Sequence, residues 1–389
     1  MLNTSAIKER TTHPKSAQWR SVYLMLFMFL LFIAGCLKDE NVLPQSLENR
    51  GLQMGYEVTN LVSDVAEYKP NIIDPNLVNA WGIAIGPTGA FWISAAETEL
   101  SVIYDDEGNT LRKPVTMEGD PTGQVFNGTT GFVIPNDGAA RFIFATEYGT
   151  ITAWRSGDMA PTMVDRAAMG ASYTGIEIAN DGTGNFIYLA DNGNGKVDVF
   201  DENWNLVSDK PFADPSVSPG AKPFNIQMIN GNLYVTYTSP AMGGFVNIFD
   251  TRGNFLKRFA TGGGLNAPWG ITQTPAEFGL DQAILVGNFG DGHINIFTQY
   301  GQSKGQLMDE DGMAITIEGL WALEFTPGAL AGTADPDLYF TAGPDDEEHG
   351  IFGEIEPMEE EGTTGGTGVI DATGGTGGVM TPTVNPYHK

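Results

Sequence analysis

Cysteine occurs once in the 389 residues, at Cys36, and histidine four times. Thiol chemistry therefore rests on a single position, and no known metal-spacing motif is present. Bases are scarce as well: 20 Lys and Arg stand against 48 Asp and Glu, a formal charge of −28. A surface that acidic repels phosphate backbones, so nucleic acid is excluded as a partner; the charge serves solubility or attracts cations. There is no G-x-S-x-G nucleophile elbow, no recognisable Ser-His-Asp ordering, and no Rossmann or P-loop glycine pattern. Gly262-Gly263-Gly264 follows a strand-like run rather than opening a helix. Helical periodicity is not evident between residues 56 and 356, which excludes a horseshoe of alternating strands and helices. What the chain does have is 50 glycines and 41% hydrophobic residues, among them 22 Phe, 12 Tyr and 7 Trp. That is ample for a large core cut by many tight turns.

The N-terminus reads as a targeting segment. Basic residues (Lys8, Arg10, Lys15, Arg20) precede an apolar run from Val22 to Ala34 that is short for a membrane span. Ile33-Ala34-Gly35-Cys36 looks like a bacterial lipobox, in which cleavage falls before the cysteine and its thiol carries the lipid. The alternative is an uncleaved signal anchor. Leu37-Lys38-Asp39-Glu40 resembles the Lys-acid-acid signal of surface lipoproteins, or is an ordinary charged tether. The expected organisation is a signal peptide over 1–35, a lipidated tether over 36–55, a folded domain over 56–357 and a Gly/Thr-rich flexible tail over 358–389.

Inside the folded domain a single unit recurs six times. Its opening strands read Trp81-Gly-Ile-Ala-Ile, Thr130-Gly-Phe-Val-Ile, Thr174-Gly-Ile-Glu-Ile, Phe224-Asn-Ile-Gln-Met, Trp269-Gly-Ile-Thr-Gln and Trp321-Ala-Leu-Glu-Phe. Second and third apolar runs follow in each unit, as in Phe91-Trp-Ile-Ser and Val102-Ile-Tyr-Asp. Repeats of this length, with short strands punctuated by Gly, Asn and Asp, predict an all-β, six-bladed β-propeller with four-stranded blades. The sixth unit lacks a fourth strand. The spare run Tyr56 to Val62 is predicted to fill that place and remove an exposed sheet edge.

Several strings carry a family resemblance: DPNLVNAWGIA (74–84), KPFNIQMINGNLYVTY (222–237), LNAPWGI (265–271), LVGNFGDGHINIF (285–297), EGLWALEF (318–325) and LYFTAGPDDEEHGIFG (338–353). The chain resembles an uncharacterised family of exported bacterial six-bladed propellers, similar to the NHL and SMP-30-like groups. The resemblance implies the fold and export, and little about chemistry.

In NHL-like propellers ligands approach the face formed by the starts of the first strands and the turns between second and third strands. The register places Glu97, Glu147, Asp191, Asp291 and His293 toward that mouth, the first four as carboxylates able to converge on one axis. Such donors suit a divalent cation such as Ca2+ or Zn2+ as cofactor, and the similar SMP-30-like and amidating-lyase propellers hold metals there. Equally, Asp, Asn and Gly sit in these turns because they tolerate tight backbone. Asp191-Asn-Gly-Asn-Gly-Lys fails the EF-hand pattern, with glycine at its third and fifth positions.

Trp81, Trp269 and Trp321 share one repeat position. With Asn225, Asn288 and His349 they form either a stacking rim for a sugar or peptide, or wedges that hold the blades together. Two functions stay open. One is a monomeric, lipid-anchored binding or scaffold module at the bacterial cell envelope, on the outer membrane and facing the cell surface. It would meet the membrane through its lipid alone and take an envelope protein, peptide or glycan. The other is a metal-dependent hydrolase or lyase of lactonase type, whose axial carboxylates hold a cation that activates water.

Overall fold

Aromatic-led runs become the innermost strands of six blades, because a strand at the centre of a ring of sheets has both faces covered and needs apolar residues on each. The computed structural model describes residues 55–358, apart from 333 and 335; the signal, Cys36, the tether up to residue 54 and the tail from 359 lie outside the described residues. The inner strands are Ala80–Ile85, Pro121–Phe126, Tyr173–Asn180, Lys222–Ile229, Pro268–Gln273 and Leu320–Phe325. Each pairs antiparallel with the second strand of its own blade. Each also packs against the inner strand of the following blade, and that of blade six against that of blade one, so the ring closes.

Closure is completed by the two ends of the described chain. Tyr56–Ser63 lies antiparallel on Ile351–Pro357, from Tyr56 opposite Pro357 to Ser63 opposite Ile351, with one irregularity between Asn60 and Val62. The fourth strand of blade six is therefore the first strand of the domain, as the sequence predicts, with the short Ile72–Ile73 added parallel outside it. Pairing the two ends covers an edge that would otherwise template association.

The second blade corrects the sequence register. Its inner strand is Pro121–Phe126, which carries Thr122-Gly123, rather than the expected run from Thr130. The Thr130 run is an excursion whose Val133–Ile134 pairs only with Gly138–Ala139 in a two-stranded hairpin. Both segments open on Thr-Gly, and the Thr130 run continues Phe-Val-Ile where the true strand reads Gln124-Val-Phe, so the local pattern favours the wrong one. Pairing with Phe142–Thr146 separates them.

Close approach at the axis explains why glycine recurs after the leading aromatic or threonine. A Cβ on Gly82 would lie 2.6 Å from the Thr122 carbonyl oxygen, and one on Gly270 equally close to that of Trp321. Polar staples tie neighbouring blades at the same level. Thr122 Oγ1 donates to the Tyr173 carbonyl at 2.8 Å, and Thr174 Oγ1 to the Phe224 carbonyl at 2.8 Å. Gln124 Nε2 donates to the carbonyls of Gly82 and Trp92. These donors are buried, so each bond also spares the fold an unpaired polar group.

Candidate functional site: the two mouths of the channel

The front mouth, where the inner strands begin, is plugged. Trp81 and Trp321 stack with ring centroids 4.0 Å apart, and Phe289 stacks on Trp321 at 4.1 Å. Phe224 and Trp269 meet Trp321 edge-on at 5.7 and 6.0 Å. Trp81, Trp269 and Trp321 are only 2–4% exposed. Indole N–H groups join the staples: Trp269 donates to the Thr174 carbonyl at 2.9 Å, and Trp321 to Asn79 Oδ1 at 3.0 Å. Of the two readings of these three tryptophans, their burial agrees with wedges between blades, since five large rings pack together across the mouth. Asn225 is buried and donates to the Trp269 carbonyl at 3.2 Å, which makes it a blade staple as well.

Asn288 is fully buried; its Nδ2 donates to the Gly264 carbonyl at 2.6 Å and to Asp291 Oδ1 at 2.9 Å. His349 faces the closing strand: its Nδ1 lies 2.8 Å from Asp64 Oδ2, while the Gly350 N–H donates to Asp64 Oδ1 at 3.0 Å. That contact with Asp64 holds the imidazole above its ordinary acidity range.

The five expected metal ligands do not form one set. Among the described residues, the group whose His, Asp and Glu ligand atoms approach within 4.8 Å of one another is Asp105, Asp106 and Glu107, on an outer turn. Asp191 is committed to its own turn, accepting from Ser172 N–H and from both nitrogens of Asn194. Asp291 likewise accepts from Asn288, His293 N–H and Asn266, with His293 Nδ1 at 3.4 Å. Each caps a tight turn, the role that Asp and Asn have in such loops.

Glu97 and Glu147 belong instead to an acidic rim on blades one, two and six, joined by Asp120 and Glu347, which sequence reasoning missed. Glu147 is pushed up by desolvation in the concave mouth and then by the charges of Glu347, Asp120 and Glu97. Asp120 and Glu347 are raised for the same reasons, although Asn79 Nδ2 donates to Glu347 at 2.8 Å. The residues present therefore do not fit the axial metal that was expected, and no chemistry is derived through one.

The channel behind the plug contains a small space of about 20 Å³, lined among others by Gln124, Asn225, Gln227 and Glu324. It has room for a water molecule. Past Glu324 the channel opens at the rear mouth, where the inner strands end, into a cleft of about 540 Å³ between blades four, five and six. Glu324 lines both spaces.

Two inner-strand carboxyls distinguish this end. Glu177, only 9% exposed, accepts from the Ile178 and Met228 N–H groups, each at 2.7 Å. Burial pushes it up to about 7 against the pull of those two donors. Glu324 is half-buried and accepts no hydrogen bond from the described residues; burial, then the charge of Glu177, pushes it up to about 8. Near neutral pH Glu324 therefore holds its proton. A carboxylic acid poised near the working pH and facing a cleft can deliver that proton to a bound oxygen. The signal was present in the repeat: Glu177 and Glu324 occupy the position that holds Ala84 and Val125 in blades one and two. An ionisable group there interrupts an inner strand, where it is covered by the neighbouring blade, as at Glu177, or opens to the channel, as at Glu324.

No family model matches the chain. It is 31% identical over 331 residues to the uncharacterised protein R648 of Acanthamoeba polyphaga mimivirus, covering 78% of this chain and 80% of that one. The uncharacterised mimivirus protein L690 is 30% identical over 313 residues, with 72% and 81% covered. These relatives are viral, which does not support the expected restriction to exported bacterial proteins. Among solved structures, a propeller assigned as a gluconolactonase superposes with a TM-score of 0.52 at 16% identity, covering 81% of this chain and 96% of that one. That likeness shows the fold alone. The chain belongs to the family of six-bladed β-propellers that includes mimivirus R648 and L690.

Proposed function

We propose that the protein is a hydrolase whose proton donor is Glu324, working at the rear mouth of the channel. The observation that carries this reading is a carboxyl that lines both the axial space and the cleft, has no donor among the described residues, and is kept protonated by burial and by Glu177. In the proposed reaction Glu324 gives its proton to the leaving oxygen as the carbon–oxygen bond breaks. Water adds its oxygen to the carbon and returns one proton to Glu324, so acid and water balance. Glu177 lines neither space and acts as a positioning residue, setting the acidity of Glu324 through its charge. The gluconolactonase assignment of the solved propeller agrees with a hydrolytic class but lends this chain only its fold.

The test is a panel of nitrophenyl esters, nitrophenyl glycosides and lactones, assayed from pH 5 to pH 10. Turnover should fall as pH rises through about 8, the value of Glu324. Glu324→Gln should lose on the order of 10²–10⁴-fold, and Glu177→Gln should move the alkaline limb to lower pH. Hydrolysis that survives Glu324→Gln intact would sink this reading.

A binding module is the second reading, favoured by the plugged front mouth, which presents a closed acidic rim rather than a reaction centre. Lipid attachment at Cys36, export and a place at the bacterial envelope remain proposals from the lipobox pattern. Metabolic labelling with a palmitate analogue checks them; label retained by Cys36→Ser would refute attachment there.

A further inference from the structure

Resting on the reading of Glu324 as a proton donor, we propose that the rear cleft is its substrate subsite. It takes a neutral organic molecule rich in hydroxyl or amide groups and refuses carboxylates and phosphates. Three unspent amides support this. Gln227 comes from the inner strand of blade four, while Gln273 and Gln282 come from blade five. The side-chain amides of all three make no hydrogen bond to any described residue. Gln227 and Gln273 are half-buried on the wall of the cleft, so their amides are open to a ligand there without first breaking a hydrogen bond to a described residue. An amide offers donor and acceptor together, which matches hydroxyl and amide groups rather than a single charge.

Gln282 adds a backbone observation. It holds a left-handed φ of 45°, a conformation that a glycine adopts without strain. A glutamine there places an amide at the cleft at some backbone cost.

Charge decides what is refused. Among the described residues no Lys, Arg or His lines the cleft, and the ionisable groups there are Glu277 and Glu324. An anion would lose its hydration and face carboxyls with no counter-charge. The protonated Glu324 presents an O–H donor, which selects an acceptor oxygen on the ligand. Leu330, from the helical turn Pro327–Leu330, supplies apolar wall on one side. About 540 Å³ is within the range of small-molecule sites.

The experiment uses the full chain at pH 7 and ligand-observed NMR with four probes: xylitol, N-acetylglycinamide, succinate and 1,3-diaminopropane. The two neutral probes should bind saturably, and their affinity should fall at least about tenfold in Gln227→Leu and Gln273→Leu, a loss of about 1.4 kcal/mol. Succinate should not bind. Glu324→Gln should retain the neutral probes within about threefold, since an amide N–H replaces the acid O–H. Absence of saturable binding by both neutral probes overturns the proposal. So does neutral binding that ignores both glutamine variants, tighter binding of succinate, or diaminopropane binding with proton release. Thermal melts of both leucine variants establish that they fold. Neutral binding without hydrolysis in any assay would leave the subsite standing and remove the reaction. Hydrolysis without neutral binding would do the reverse.

Discussion

The two mouths of one channel are built from the same repeat and end in opposite states. At the front, the leading position of the inner strand is Trp in three blades and Phe in a fourth, and those rings with Phe289 close the opening. At the rear, the position three residues further on is Glu in two blades and Gln in one, and the opening widens into a cleft. Burial of large rings stabilises the first mouth. In the second, Gln227, Gln273 and Glu324 line the cleft without a side-chain hydrogen bond to a described residue. Packing is thus concentrated at the front and open polar capacity at the rear, a separation that substitutions can test.

The largest effect should come from the plug. Trp321→Ala removes the stacks with Trp81 and Phe289, the edge contacts with Phe224 and Trp269, and the donor to Asn79. Truncation of a buried tryptophan should cost about 3–5 kcal/mol in chemical denaturation. A loss below about 1 kcal/mol would mean that the ring is held by the blade sheets alone. Gly270→Val should cost somewhat less, about 1–3 kcal/mol, because its side chain would press on the Trp321 carbonyl.

At the rear the sign should reverse. A carboxyl raised from its unfolded range to about 8 favours the folded state only while protonated. The fold is therefore penalised progressively as pH rises from about 4.5 through 8, and the penalty is complete above that. Glu324→Gln should melt near the parent at pH 5 and exceed it by on the order of 2 kcal/mol at pH 9. A stabilising substitution at the rear beside a damaging one at the front would establish the contrast. Equal melting curves at pH 9 would show that Glu324 is solvated well enough to ionise without cost.

Most of the fold was legible because alternation, turn residues and a repeat of blade length all point to one architecture. Blade two was the exception: Thr130-Gly131 imitates Thr122-Gly123 locally, and only pairing with Phe142–Thr146 separates them. The site was less legible. Glu97, Glu147, Asp191 and Asp291 do sit in turns between second and third strands, but sharing a face of a ring does not bring carboxylates within bonding reach of one ion. Asp191 and Asp291 are consumed by their own turns; Asp120, at the entry to the inner strand of blade two, was hidden by the misplaced register there, and Glu347 lies in the corresponding turn of blade six. Glu177 and Glu324 were visible as polar interruptions of apolar strands. Their weight became clear only once those strands enclosed a common axis.

The smallest expected effect concerns the seam between the chain ends, beside the front mouth. His349 meets Asp64 on the segment leaving the closing strand, and Asp345 and Glu67 add further negative charge nearby. The loop carrying His349 also holds Glu347 against Asn79, which receives the Trp321 N–H, so seam and plug share one strap. Because the imidazole is raised in the folded state, its stabilising contribution is complete below the unfolded value of about 6.5 and is lost as pH rises through the raised value. His349→Gln should therefore cost about 1 kcal/mol at pH 5.5 and much less at pH 9, because the site is partly exposed and screened by solvent. Asp64→Asn should show the same pH trend while also weakening the bond from the Gly350 N–H. Hydrogen exchange at residues 343–350 reads the strap directly: faster exchange at pH 9 than at pH 5.5, after correction for intrinsic rates, ties it to the His349 proton. A corrected rate that does not change with pH would mean that strand pairing of Tyr56–Ser63 with Ile351–Pro357 holds the seam unaided.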